Sequence, residues 1–212
     1  MKIAILGAEG TGKTLLSQAL VQALRSIENS SLLVPDVLHE WCTLHGRTPN
    51  SHDHAAMATE QTRRVHASLP TDALVVDSPS LMTAVYSDLL FHDDSLYADA
   101  LQHQRRFDLT LLTGLDLDWV PDRPERPGLP WREPFDARLR QVLLANALSH
   151  TVVYGAGQVR VQRALQAIAH HRDSQIAPLD ADQPPWQWSC EKCSDATCEH
   201  HIFTGRLKIG NT

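Results

Sequence analysis

The chain predicts an α/β fold, a parallel sheet covered by helices on both faces. Three observations carry that expectation. Five short apolar runs alternate with segments of helical periodicity, the order that a parallel sheet with crossover helices requires. The runs are nearly continuous in apolar residues, as strands buried on both faces are. The first run opens directly into a glycine-rich loop that leads into a helix. Right-handed crossovers leave few topologies for such an order.

Lys2-Ile3-Ala4-Ile5-Leu6 is short, apolar and partly β-branched, and reads as the first strand. From Lys13 onward, Leu15, Leu16, Ala19, Leu20, Ala23 and Leu24 recur at helical spacing. Ser31-Leu32-Leu33-Val34, closed by Pro35, is the second strand. Residues 37–45 predict a helical turn or two, and Gly46 to Ser51 a loop. Asp53 is the expected cap of a helix over 54–68. Ala73-Leu74-Val75-Val76-Asp77 is a buried strand that ends in a carboxylate. Helices follow near 79–90 and 95–105, then a fourth strand over 107–112. Residues 114–133, rich in Pro, Asp, Arg and Trp, predict a mobile loop ahead of a helix over 134–148. Thr151-Val152-Val153-Tyr154 is the fifth strand, and a last helix runs from about 157 to 170. The pattern then stops. This divides the chain into a domain over 1–172, a linker over 173–185 and a Cys/His-rich tail over 186–212. There is no internal repeat.

At 212 residues the chain can build one sizeable core and a small appendage. Its formal charge of −6 suggests no polyanion-binding surface, so nucleic acid is not an expected partner. No apolar run reaches membrane-spanning length. The N-terminus enters a strand without the charged and apolar regions of a signal peptide. A cytoplasmic location is expected, where four cysteines read as metal ligands or plain thiols.

Gly7-Ala8-Glu9-Gly10-Thr11-Gly12-Lys13-Thr14 matches the phosphate-binding loop G-x-x-x-x-G-K-[ST] at every fixed position. Glycines let successive N–H groups turn inward on a phosphate, and the following helix adds its positive end. Lys13 is expected to reach the β- and γ-phosphates, and the Thr14 hydroxyl to take a site on Mg²⁺. The loop implies ATP or GTP. No N-K-x-D sequence for reading guanine follows the later strands, and the chain is too short for an added ATPase lid domain. Arg123, Arg126 and Arg132 precede a helix, where a small-molecule kinase closes an arginine-bearing lid over the phosphates. An ordinary solvated surface loop is the other reading of these arginines.

Several stretches resemble the ribosylnicotinamide kinase domain of NadR-type proteins and the AAA-like family grouped with it. The loop, including its acid Glu9, is similar to the family's G-x-E-S-x-G-K-[ST]. Val34-Pro35-Asp36-Val37-Leu38-His39-Glu40-Trp41 resembles the acidic segment after the second strand. Gln61-Thr62-Arg63-Arg64 lies where the family has a Gln-bearing helix, and Asp118-Trp119-Val120-Pro121-Asp122 is similar to its W-x-x-D lid entrance. The likeness covers residues 1–170. It implies a three-layer α/β/α P-loop kinase-like sandwich with strand order 2-3-1-4-5, and a kinase acting on nicotinamide riboside or a related nucleoside. The chain departs from the family at Asp77-Ser78-Pro79, where a second acid is missing from D-T-D, and near His39, where the family's arginine is replaced. Both departures fall where a nucleoside would be held.

Asp77 ends the third strand, and Asp36 follows the second at the same end of the sheet. Asp77 reads as a Mg²⁺-holding, Walker-B-type acid or as a helix cap, a role Ser78 could equally supply. Asp36 reads as a base for an attacking hydroxyl or as the cap of the helix from Val37. Glu9 faces either substrate or solvent. Asp36, Trp41, Gln61 and Arg64 are the candidate lining of an acceptor pocket.

The tail carries Cys190, Cys193 and Cys198 followed by His200 and His201. Three thiolates and one imidazole can complete a tetrahedron around Zn²⁺, and so few aliphatic residues would draw their order from the metal. Reduced thiols, or an iron–sulfur cluster with Cys42 as a distant ligand, are the alternatives. Three function classes remain from the sequence. They are an ATP-dependent small-molecule kinase, a regulatory or sensor ATPase whose tail contacts a protein partner, and a non-catalytic nucleotide-binding module.

Overall fold

The computed structural model describes residues 1–28, 30–118 and 129–176. Five strands form one sheet: β1 (Lys2–Leu6), β2 (Ser31–Val34), β3 (Ala73–Asp77), β4 (Leu109–Thr113) and β5 (Thr151–Val153). Their order is β2-β3-β1-β4-β5, with every pairing parallel. The helices are α1 (Lys13–Arg25), α2 (Val37–His45), α3 (Ser51–Ala67), α4 (Ser80–Phe91), α5 (Tyr97–Gln104), α6 (Leu129–Ala145) and α7 (Gly157–Ile176).

Alternation along the strands assigns each apolar side chain to a face. Ile3, Ile5, Val75, Leu109, Leu111 and Val153 pack against Leu16, Leu20 and Leu24 of α1 and Val161, Ala164 and Ile168 of α7. The other face of β1 and β4 presents Leu6 and Leu112 to α4 and α6, with Phe135, Leu139 and Leu143 buried among them. Leu74 and Val76 of β3 join Val34 and Val65 in a smaller cluster. Each fully buried Leu or Phe contributes about 1.5–3 kcal/mol relative to exposure. β1 therefore lies at the centre, with β3 on one side and β4 on the other. The strand order reverses beside it, and in such sheets the crevice beyond the strand carboxyl ends takes the ligand.

Among the boundaries that differ from expectation are three helix ends. α3 begins at Ser51, capped by Asn50 rather than Asp53; Asn50 Oδ1 accepts from Asp53 N at 3.0 Å and Asp53 Oδ2 accepts from Asn50 N at 2.9 Å, a reciprocal capping box. α6 begins at Leu129, so Arg132 belongs to a helix and not to a loop. α7 runs to Ile176, past the expected end near 170. Contacts divide the chain into a unit over Met1–Arg172 and a second over Asp173–Thr212. No helix among the described residues is long and apolar enough to cross a membrane.

Candidate active site

The phosphate loop joins β1 to α1 through backbone conformations that favour glycine. Gly7 has φ 146° and Gly12 φ 74°. Space forbids a side chain at Gly7 as well, because a Cβ would lie 2.0 Å from Thr113 Oγ1. Gly12 is the N-cap of α1 and no side chain caps that helix. No side chain therefore competes for the first-turn N–H groups, which suits an anion. Thr11 turns its hydroxyl into the base of the loop, 2.7 Å from both Ala8 O and Thr113 Oγ1. That leaves Thr11 only its backbone to offer a phosphate. Lys13 Nζ folds back to Ala8 O at 2.9 Å.

Thr14 Oγ1 donates to Asp77 Oδ2 at 2.6 Å, and Ser78 Oγ to Asp77 Oδ1 at 3.2 Å. α4 has Pro79 at its N-cap and no side-chain cap, so neither Asp77 nor Ser78 serves as one. Hydroxyl and carboxylate meet at one point beside the loop, a pair of hard oxygen donors that fits Mg²⁺. Asp36 does cap α2, accepting from His39 N at 3.1 Å. The same carboxyl faces Lys13 and Asp77; its burial first, and the charge of Asp77 second, hold its pKa above the ordinary carboxylate value, against Lys13, His39 N–H and Ser78. The cap and the candidate base are one group.

Two cavities adjoin. One, of about 320 Å³, is lined by Gly10, Gly12, Lys13, Thr14 and Asp36. The other, of about 370 Å³, is walled by Tyr86, Phe91, Trp131 and Phe135, with Cys42 and His54 in its lining. Glu9, Leu38 and Tyr86 belong to both. No Lys or Arg lines the aromatic cavity among the described residues. Burial holds the His54 imidazole below its ordinary pKa, against Asp53 and Asp93.

Three expected pocket residues lie elsewhere. Gln61 is buried and braces the chain, accepting from Val37 N at 2.8 Å and donating to Pro35 O at 3.2 Å. Trp41 stacks on His45 at 4.1 Å under the Arg47 guanidinium, and Arg64 pairs with Glu40 and Glu60. Trp41 and Arg64 line a separate depression with Leu44 and Met57. Arg132 is 8 % exposed, and its Nη2 donates to Leu115 O at 3.2 Å and Leu117 O at 2.6 Å, so that nitrogen is held by backbone. Arg123 and Arg126, and the tail's Cys190, Cys193, Cys198, His200 and His201, lie outside the described residues. Among the described residues no group of three or more His, Cys, Asp or Glu is placed to hold a metal.

Sequence reasoning missed the aromatic walls from α4 and α6: Trp131 fell in the segment expected to be a loop, and Tyr86, Phe91 and Phe135 carried no motif. It also missed Arg160, which is 3 % exposed and donates to Thr11 O in the loop and to Asp116 Oδ1. A charged residue in line with the apolar stripe of Val161, Ala164 and Ile168 was the available signal.

The family model described as AAA domain matches residues 2–160. The fold and the loop define a P-loop NTPase. The chain belongs to this AAA domain family. No curated protein matches it significantly. Among solved structures, a NadR protein in complex with NR is similar with a TM-score of 0.66 at 20% identity, over 84% of this chain and 53% of that one. The same protein class with NAD and AMP-PNP gives 0.61, also at 20% identity, over 84% and 51%. The chain thus spans about half the length of the NadR chains it matches. Deoxyadenosine kinase from M. mycoides with dCTP gives 0.57 at 15% identity, over 80% of this chain and 100% of that one. These likenesses establish the P-loop kinase fold.

Proposed function

We propose that the chain is an ATP-dependent kinase that transfers the γ-phosphate to a hydroxyl of a small nucleoside-like acceptor, nicotinamide riboside or a relative of it. The observation that carries this reading is the junction of the two cavities. A phosphate cradle and an aromatic-walled cavity meet at Glu9, Leu38 and Tyr86, with Asp36 beside Lys13 on the cradle side. A flat ring fits between aromatic walls, and its attached sugar would then reach toward the cradle. The NadR protein solved with NR and the deoxyadenosine kinase solved with dCTP support the same class of acceptor.

In this reading the loop N–H groups hold the phosphates of ATP, and Lys13 leaves Ala8 O to meet them. Thr14 and Asp77 would hold Mg²⁺, which neutralises phosphate charge when bound. Asp36 accepts the proton of the acceptor hydroxyl, its raised pKa bringing it closer to working pH. Gly7 and Gly10 give the backbone its approach, and Glu9 faces the acceptor side. The work would be done in the cytoplasm. The spacing of Cys190, Cys193 and Cys198 with His200 or His201 supports a structural zinc site in the tail; metal analysis of protein purified without added metal tests it.

The deciding experiment is a transfer screen with labelled ATP·Mg²⁺ against nucleosides, nicotinamide riboside among them, and nucleoside monophosphates. Label on a nucleoside supports the proposal. Phosphate release at one rate with every acceptor makes the chain a sensor ATPase, and transfer only to monophosphates contradicts an aromatic cavity that carries Glu9 and, among the described residues, no Lys or Arg.

A further inference from the structure

Arg160 and Asp116 lie outside both cavities, yet they join three segments around the phosphate loop. Arg160, in the first turn of α7, directs one nitrogen to Thr11 O and the other to Asp116 Oδ1 at 2.6 Å. Asp116, in the turn after β4, accepts from Gly155 N through its second oxygen at 2.5 Å. Burial alone would raise the Asp116 pKa, but the Gly155 N–H and the Arg160 guanidinium outweigh it and hold the carboxyl below the ordinary range. The packing is close: a Cβ on Gly12 would lie 3.3 Å from Leu117 Cδ1 and 3.6 Å from Arg160 Nη1. Arg132 also holds this turn, through Leu115 O and Leu117 O.

A trans peptide is planar, so a carbonyl and the N–H that follows it point in opposite directions. The carbonyl of Thr11 and the N–H of Gly12 share one such plane. Holding Thr11 O against Arg160 therefore turns Gly12 N–H away from Arg160. A flip of this peptide would aim a carbonyl dipole where a phosphate must sit. Gly12, with no Cβ, resists such a flip least of all residues.

We propose that Arg160, anchored by Asp116, is a positioning residue that locks the Thr11–Gly12 peptide in the orientation that binds the nucleotide phosphates. It acts on ATP through the loop and touches no acceptor. The inference rests on the reading of the loop as an ATP site, but not on which acceptor is used.

The test is binding of a non-hydrolysable ATP analogue with Mg²⁺, with no acceptor present, by the full chain and by Arg160→Met, Arg160→Lys, Asp116→Asn and the Arg160→Met/Asp116→Asn double variant. Losing a charge-assisted bond predicts a weakening of roughly 10- to 100-fold for Arg160→Met. Lys can reach Thr11 O or Asp116 but cannot fork to both, so Arg160→Lys should recover part of that loss. Asp116→Asn should weaken binding less, and the double variant should be little worse than Arg160→Met alone, because the two act as one unit. If acceptors are then supplied, the KM for ATP should rise with the KM for acceptor unchanged, a split that general destabilisation would not give. Should Arg160→Met fail to fold, Asp116→Asn and Arg160→Lys decide. Analogue affinity unchanged in the folded variants overturns the clasp. A wild-type chain that binds no analogue overturns the ATP reading itself, and one that binds but transfers to no acceptor overturns only the kinase.

Discussion

At Asp36 one carboxylate caps α2 through His39 N–H, while burial and the neighbouring Asp77 hold its pKa above the ordinary value of 3.8. A pKa raised on folding means the native state binds the proton more tightly than the unfolded chain does. Stability is then greatest below the ordinary carboxylate pKa and declines as pH rises through the elevated one. Asn can cap the helix without carrying the charge. Asp36→Asn is therefore expected to raise the Tm at neutral pH while lowering transfer by roughly 10²- to 10⁴-fold; melts across pH and a turnover assay check both halves. His103 has the opposite sign. Burial first, then His66, Arg106 and Lys2, push its pKa down from 6.5 to about 4. That stability is fully present above 6.5 and disappears as pH falls toward about 4, a loss on the order of 3 kcal/mol. His103→Gln should flatten the acid limb of the Tm profile, and a limb of unchanged steepness would place the sensitivity elsewhere. Lys13 and Thr14 were legible as loop residues because one strand, one loop and one helix follow each other there, and Asp77 as the carboxylate that ends an apolar run, though its bond to Thr14 crosses between elements. The roles of Gln61 and Arg64 were not, because each depends on a partner from another element.

At the scale of elements, Gln61 is the clearest brace. It ties the middle of α3 to the turn between β2 and α2, and so holds Asp36 at the edge of the cradle. Gln61→Leu would leave Val37 N–H buried without its partner, a cost of about 1–3 kcal/mol. The expected outcome is a lower denaturation midpoint, with the KM for ATP less affected than kcat because the displaced group is Asp36; equal loss in both would point to general loosening. Helix existence was readable from periodicity, whereas helix ends were not always. Asn50 and Asp53 share a capping box, and a sequence shows two capping residues there without saying which is the cap and which is three residues inside. Proline-rich composition made residues 129–133 look like loop, although a helix start accommodates proline well.

For the whole molecule, the site is assembled from the ends of three strands, so a ligand that grips the loop should stabilise the entire domain. ATP·Mg²⁺ at 100 times its Kd is expected to add about 2.7 kcal/mol and raise the Tm accordingly. Lys13→Ala should melt at the wild-type temperature without nucleotide and show no such rise with it; a full rise in the variant would move the binding site elsewhere. The sheet order was legible only through family likeness, since alternation of runs does not say which strand is central. β1 is translated before both of its neighbours, β3 and β4. On the ribosome it emerges with both edges bare and stays so until Asp77, and then Thr113, have left the exit tunnel. The nascent chain thus displays its complete glycine-rich motif long before it can grip a phosphate. Arg160, which steadies that loop, arrives later still, so truncated chains stalled before α7 should leave the ribosome as clients of chaperones and not as captors of ATP.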